Sequence, residues 1–420
     1  MSDSTLTVNI AEIGSNADGI FYQDEQAKYV AFALPGEEVE VSAHPHKKHA
    51  DRFELVKLKQ ASDKRAPALC EYFTACGGCS AQHLQADYYQ DWKLSLLTNA
   101  LEHKALQVKQ LNPLKIIPPG QRRRVSLSYE NFKGQVKLGF FKKYSKRLVN
   151  IAECPLLEER LNQLIGPLYQ LLEEITQPRD HGHIMLTHSA TGIDLAFSYH
   201  RKIVIEPWLL EKFRAFAEKY DIAQITRAGK ELLVRKREPL INFAEQLVAF
   251  PSHAFLQPSI AAEQFMWQEI ERFIKSANYK KAKILDLCCG LGTFSVPLTK
   301  YGQVTAIDVF GPSLKNLRQA NIKNLEVVEQ NLYDNPLSYT ELNAYDLLVL
   351  DPPRSGLLAQ AEQISKSQVK NIIYISCNPG SFARDAKLLT DSGYALQELT
   401  PLDQFIYTDH LEIIAHFTKV

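Results

Sequence analysis

Lys283-Ile284-Leu285-Asp286-Leu287-Cys288-Cys289-Gly290-Leu291-Gly292-Thr293-Phe294 reads as a buried strand, a glycine turn and the start of a helix. Outward from it, Val304 to Asp308, Leu325 to Asn331, Asp346 to Leu350 and Ile372 to Ile375 are further short apolar runs, each closed by a polar residue or a proline. A helix pattern from Ala261 to Ile274 leads into the first of these strands. Strands alternating with helices predict an α/β domain whose ligands gather at the carboxyl ends of the strands.

The glycines let backbone approach a nucleotide, and an acid about twenty residues on can hold ribose hydroxyls, as Asp308 does in this pattern. A dinucleotide fold would place a third glycine or alanine at 295, where serine stands, and no second nucleotide-binding half follows. Asp286 before the turn, Asp308 after the next strand and Asn331 after the third instead resemble the S-adenosylmethionine pocket of class I methyltransferases.

Two loops carry the chemistry. Asp351-Pro352-Pro353-Arg354 ends the fourth strand and resembles the substrate-base loop of nucleic-acid methyltransferases. Ser376-Cys377-Asn378-Pro379 ends the fifth and places Cys377 as a nucleophile would be placed. An aromatic after the prolines would suggest attack through an exocyclic amine; Arg354 and a cysteine on the next strand point to methylation at carbon. C5 of uracil is too weak a nucleophile to take a sulfonium methyl unaided, so a thiolate first adds to C6 and a base later removes the C5 proton. Asp409, His410 and Glu412, close together before the final strand, are the candidate bases. Arg354 or the run Arg122-Arg123-Arg124 supplies the candidate donors to the developing enolate oxygen.

The rest of the chain points to RNA and to a metal. Alternating apolar segments from about 4 to 60 predict a small β-barrel that resembles a TRAM domain, with Lys47, Lys48, Lys57, Lys59, Lys64 and Arg65 making its end basic. Cys70, Cys76 and Cys79 cluster around Gly77-Gly78, and Cys154 lies far downstream before a proline. Four thiolates can complete a zinc tetrahedron or bind a cubane; three clustered cysteines and a remote one look more like iron–sulfur ligation than paired zinc knuckles. Residues 84–110 carry a helical pattern through Leu84, Tyr88, Trp92, Leu96, Leu97, Ala100 and Leu101. Between Lys115 and Asn150 ten basic residues face one acid, Glu130, interleaved with Tyr129, Phe132, Phe140, Phe141 and Tyr144. That mixture predicts a sheet face that neutralises phosphates and stacks bases.

Taken together, Cys70/Cys76/Cys79/Cys154, Arg122 to Arg124, Phe255-Leu256-Gln257, the Asp286 glycine turn, Asp351 to Arg354, Ser376 to Pro379 and His410-Leu411-Glu412 resemble the RNA uracil-C5 methyltransferases. The branch most similar acts on 23S rRNA and joins a TRAM domain to a four-cysteine [4Fe-4S] site. The resemblance implies Cys377 as nucleophile and Glu412 as base. It further implies Gln257, Asp308, Asn331 and the turn residues Asp286, Cys288, Gly290, Gly292 and Thr293 around the methyl donor, S-adenosylmethionine, with Asp351 in the same site near the target uracil. Cys288 stands where relatives usually carry an aromatic, and Thr293 where the nearest branch has asparagine.

The expected architecture is a TRAM-like barrel over 1–62, a mainly β domain with the four-cysteine site over 63–247 and a Rossmann-like methyltransferase domain over 248–420. RNA is the expected partner, 23S rRNA before tRNA, with no DNA and no membrane. A non-catalytic RNA-binding or assembly factor and a cytosine-C5 enzyme are the competing readings; the second commonly carries its cysteine in the loop occupied here by Asp351 to Arg354. The 420 residues carry 48 basic and 48 acidic side chains, so net charge does not decide for or against nucleic acid. Neither an export signal at Met1-Ser2-Asp3-Ser4 nor an apolar run of the roughly eighteen residues that span a bilayer is found, and a cytoplasmic monomer with reduced thiols is expected.

Overall fold

The computed structural model describes residues 5–44, 50–200, 205–279 and 281–420. Lys47 and Lys48 of the expected basic barrel end lie outside them. A six-stranded sheet built from Leu6–Asn9, Glu38–Ala43, Arg52–Gln60, Gln26–Ala31, Asp18–Gln23 and Glu12–Ile13 has its own small core of Ile10, Phe21, Val30, Ala33, Val39 and Val41. Phe21 and Phe53 meet edge to face inside it, their centroids 5.1 Å apart.

A seven-stranded sheet follows, in the order Leu148–Asn150, Gln135–Phe141, Arg124–Phe132, His181–Ser189, Gly192–Tyr199, Ile222–Arg227 and Glu231–Arg235. Helices Ile165–Ile175 and Pro207–Lys219 cover one face, burying Leu168, Leu172 and Phe213 against Leu127, Tyr129 and Leu195. This corrects part of the expected RNA face. The alternation Val125, Leu127, Tyr129 points into the core, because the period-2 apolar side is the side the helices need. Several cations of the stretch are also spent internally: Lys137 pairs with Glu130, Lys142 with Glu54, Lys143 with Asp18 and Arg123 with Glu263. Phe132 and Phe141 remain exposed.

The C-terminal sheet has nine strands and decides the fold. Leu325–Glu329, Gly302–Asp308, Ala282–Leu287, Leu347–Leu350 and Asn371–Ser376 run parallel in that order, then Glu412–Lys419 enters antiparallel beside Asn371–Ser376 and pairs in turn with Tyr394–Asp403. The strand order reverses direction on either side of Ala282–Leu287, the switch point at which such sheets open a crevice. Gln110–Leu111 and Lys115–Ile116 add to the edge strand Tyr394–Asp403, so the middle of the chain is woven into this sheet.

The helix expected over 84–110 spans Ala86–His103, and it packs on helix Pro379–Asp391 and on the edge strand. Its buried stripe is Tyr89, Trp92, Lys93, Leu97 and Leu101, with Tyr88 and Leu96 only half-buried. The hairpin Leu240–Phe243/Gln246–Ala249, which a boundary near 248 would divide, packs Ile241, Phe243 and Val248 as one unit against Leu291, Val296 and Leu317.

Candidate active site

Register assembles the site. Leu287 pairs with Ile307 and with Leu350, so the residues that leave these three strands at the same end are Cys288, Asp308 and Asp351. Ser376 pairs with Ile413, which brings Cys377 as it leaves its strand beside Glu412 as the next strand enters. Antiparallel insertion of the last strand is therefore what turns Glu412 toward the carboxyl edge of a parallel sheet.

The glycine turn is held by Asp308. Its Oδ2 accepts the Gly290 N–H at 2.9 Å, while Oδ1 accepts those of Val309 and Phe310 at 2.7 and 2.9 Å. Cys288, Gly290 and Gly292 all have positive φ. A Cβ on Gly292 would lie 2.8 Å from Leu317 Cδ1, so close packing as well as φ demands glycine there. Asp286 is fully buried; Ser295 Oγ donates to its Oδ2, and Oδ1 has no side-chain partner among the described residues. Burial, with the Asp308 charge beside it, pushes the Asp286 carboxyl up to about 7. The serine at 295, which breaks a dinucleotide fingerprint, is thus the partner of Asp286. Thr293 faces a second cavity, lined also by Arg123, Glu263, Trp267 and Lys300. Asn331 is engaged in its own loop, accepting from Tyr333 N–H at 3.0 Å and donating to Asp334 at 2.6 Å.

Four carboxylates converge near the turn. Asp351 is held far above the usual carboxylate range by burial and by Glu412, Asp286 and Asp308 around it, and the Cys288 thiol is raised by burial and by the same three aspartates. Glu412 is buried and pushed up to about 7. A relay of amides crosses this cluster: Gln257 Nε2 donates to Asp351 Oδ2 at 3.2 Å, and Gln404 Nε2 donates both to Gln257 Oε1 at 2.9 Å and to Glu412 Oε2 at 3.1 Å. Arg123 fixes Gln257 from behind, its Nε donating to the Gln257 carbonyl at 3.0 Å while its guanidinium pairs with Glu263 at 2.6 Å. Gln404 is not legible in the sequence as a site residue; the only signal is an amide at the end of a strand facing Glu412.

Cys377 lines a cavity of about 420 Å³ whose wall is completed by Arg354, Asp409, His410, the end of helix Ala86–His103 with Lys104, and Ser15 from the N-terminal sheet. Asn378 caps helix Pro379–Asp391, its Oδ1 accepting the N–H groups of Gly380 and Ser381 at 2.9 and 3.1 Å, which fixes the backbone next to the thiol. Burial and the charges of Glu412 and Asp351 push the Cys377 thiol up to about 12, with Arg354 acting in the opposite sense. Arg354 itself stands 3.1 Å from His410 Nδ1. Of the candidate enolate donors only Arg354 lines this cavity. Arg122 faces the cysteine site, Arg123 is spent on Glu263, and Arg124 reaches Met185.

Cys70, Cys76, Cys79 and Cys154 line one further cavity, also of about 420 Å³, together with Arg122, Phe405 and His410. Among the described residues no three His, Cys, Asp or Glu side chains converge on a point suited to a single metal ion. Burial, with the other three cysteines around it, pushes the Cys79 thiol up to about 12.

This sheet order, with a glycine turn at its switch point and an acidic crevice beside it, defines a class I methyltransferase fold. The chain belongs to the tRNA (uracil-5-)-methyltransferase family, whose model matches residues 121–420. An uncharacterized RNA methyltransferase of Caulobacter vibrioides is 34% identical over 99% of this chain and 99% of its own length. The 23S rRNA (uracil(1939)-C(5))-methyltransferase RlmD of Aliivibrio fischeri is 28% identical over 99% of this chain and 96% of its own. The crystal structure of Pyrococcus abyssi tRNA (uracil-54, C5)-methyltransferase in complex with S-adenosyl-L-homocysteine shares the fold, with a TM-score of 0.73 at 21% identity, covering 98% of this chain and 100% of that one. Among the described residues no helix is long and apolar enough to cross a membrane.

Proposed function

We propose that this protein transfers a methyl group from S-adenosylmethionine to C5 of a uridine in RNA, 23S rRNA before tRNA, through a covalent bond between Cys377 and C6. The observation that carries the reading is the meeting of Cys377, Glu412 and Asp351 at one sheet edge beside the glycine turn. An acidic crevice with a buried Asp286 oxygen that has no side-chain partner among the described residues suits a ligand bearing an ammonium and a sulfonium.

In the proposed reaction the Cys377 thiolate adds to C6, the electrons move toward O4, and Arg354 offers a donor to the oxygen that gains charge. C5 then attacks the methyl carbon of the donor, the sulfonium–methyl bond breaks with its electron pair going to sulfur, and the neutral thioether S-adenosylhomocysteine leaves. Glu412 removes the C5 proton, and the returning electron pair expels the thiolate, restoring the ring. A carboxylate near 7 is matched to that task at neutral pH. The donor's positive charge offsets the two carboxylates that hold the free Cys377 thiol up. Reaching Cys377 requires the base to leave the stack. The TRAM-like N-terminal sheet contributes Ser15 to the cavity wall, and with the exposed Phe132 and Phe141 it supplies an RNA surface.

The four cysteines, which line one cavity, are proposed to hold a [4Fe-4S] cluster. Bound there it would cross-link residues 70–79 to Cys154; no step of the methyl transfer runs through it.

Labelled S-adenosylmethionine with unmodified rRNA and tRNA transcripts tests the reading. Label is expected as 5-methyluridine in rRNA with wild type and none with Cys377→Ala, whose RNA affinity is retained. Absence of transfer to any RNA from iron-loaded wild type overturns it in favour of a binding factor.

A further inference from the structure

Lys93 lies in the middle of helix Ala86–His103 and is fully buried, with Tyr89 and Leu97 one turn away on the same buried stripe. A lysine in such a stripe is costly unless its ammonium is completely partnered. Here it is. Nζ donates to the carbonyl of Thr408 at 2.7 Å and to that of His410, and stands 3.0 Å from Asp403 Oδ1. Tyr89 completes the arrangement: its hydroxyl donates to Asp403 Oδ2 and accepts the Tyr407 N–H at 2.7 Å.

Of the four contacted residues, Asp403 ends strand Tyr394–Asp403, and Tyr407, Thr408 and His410 lie in the irregular segment that joins it to the last strand, Glu412–Lys419. That segment opens with Gln404, which bonds Glu412, and closes at His410, which meets Arg354 at the Cys377 cavity. An irregular loop has no ladder of its own to satisfy inward-facing carbonyls. An ammonium with three donors can bind two carbonyls and a carboxylate at once; no apolar side chain can.

We propose that Lys93, held by Asp403 and Tyr89, is a positioning residue for methyl transfer: it fixes the Asp403–His410 segment so that Gln404 and Glu412 on one side and His410 on the other keep their geometry around Cys377. The inference rests on the reading of Glu412 as the base. It also gives helix Ala86–His103 a part in the reaction that core packing alone does not.

The test compares wild type, Glu412→Gln and the double variant Lys93→Met/Asp403→Asn, which removes the buried charge from both partners and so avoids stranding either one. On unmodified RNA the double variant is expected to fold and to keep KM for RNA within about twofold. Its kcat is expected to fall by up to ~100-fold, the cost of a displacement of about 1 Å in a catalytic group. A covalent RNA–protein adduct is expected to accumulate as in Glu412→Gln, because proton removal is the slowed step. Unchanged kcat overturns the proposal. So does a fall in kcat that follows the folded fraction and leaves no adduct, since that is what a packing role alone would give. If the double variant does not fold, Lys93→Gln, which retains an amide donor for one carbonyl, is read in the same way. If Glu412→Gln itself turns over normally, the base assignment fails instead, and Lys93 is then judged on kcat against KM alone, with unchanged kcat again overturning its role.

Discussion

Gln404 Nε2 donates to Glu412 Oε2 across 3.1 Å, and this is the contact that works against burial in setting the Glu412 carboxyl near 7. A donor to the charged form favours ionisation, so removing it moves the carboxyl further up. Gln404→Leu is expected to shift the acid limb of the kcat profile to higher pH and to lower kcat at pH 7 by about fivefold, since a limb moved up by about one pH unit from near 7 takes the ionised fraction from about one half to about one eleventh. Rates measured from acid to alkaline pH with saturating RNA check this; an unmoved limb would mean that the limb belongs to another group.

Stability should carry the same signature. Glu412 and Asp286 both keep their protons in the folded state up to about 7, well above the ordinary carboxylate range. Between those limits the folded form binds more protons than the unfolded one, so each group loses stability for the fold as pH rises toward 7, at about 1.4 kcal/mol for every pH unit crossed. His83 works in the opposite sense, since burial lowers it to about 3, and the whole-protein trend mixes both. The comparison that isolates the carboxyl is Glu412→Gln against wild type: the Tm of the variant relative to wild type is expected to rise between mildly acidic pH and about pH 8. For Asp286 the readout is ligand affinity. S-adenosylmethionine is expected to bind wild type more tightly as pH rises through 7, and Asp286→Asn to bind weakly at every pH; calorimetric titrations at several pH values decide it.

Gly292 is where backbone and packing coincide. With φ at +94° and Leu317 Cδ1 2.8 Å from the place of a Cβ, Gly292→Ala is both strained and crowded. A loss of roughly 1–3 kcal/mol is expected in denaturant unfolding. Loss of donor affinity should accompany it, because moving Leu317 or the turn disturbs the Gly290 N–H that Asp308 holds. Gly290→Ala meets no atom within 4 Å and should cost less.

The parallel core and its loops are legible in the sequence because the apolar runs of the C-terminal third carry or end in polar groups, Asp286 within one and Asp308, Asp351 and Cys377 at the ends of others, and the sheet register places those strand ends side by side. What escapes are groups whose meaning depends on partners far along the chain. Lys93 falls in an otherwise apolar helical stripe, and nothing local announces that it meets carbonyls more than three hundred residues away. Tyr129 shows the converse: aromatic and basic neighbours suggest a surface, yet the helices on that side of the sheet need its ring for their core. Charge counts fail for a similar reason, since Asp18, Glu54 and Glu263 lie outside the basic stretch they neutralise.

The cysteine site has a mechanical route to the catalytic segment, and loss of the cluster proposed there should therefore be felt at Cys377. Ser80 and Ala81, directly after Cys79, both donate backbone N–H groups to the Tyr407 carbonyl at 2.7 and 3.1 Å. Tyr407 lies in the segment that presents Gln404 and His410, and Phe405, Thr408 and His410 form part of the cysteine cavity wall. With no group joining residues 70–79 to Cys154, the four part-buried thiols are left unbridged, which is expected to loosen the Ser80–Ala81 clamp. Cys79→Ala is expected to lose bound iron and visible absorbance, to show faster amide exchange over residues 404–411, and to lose kcat by about tenfold or more while the methyl donor still binds, because no residue of the glycine turn lines the cysteine cavity. Hydrogen exchange and donor titration on the same preparation separate this from unfolding. Fast exchange spread over the whole chain would mean that the site holds the fold together, whereas unchanged exchange at 404–411 with iron absent would break the proposed link between cysteines and catalytic segment.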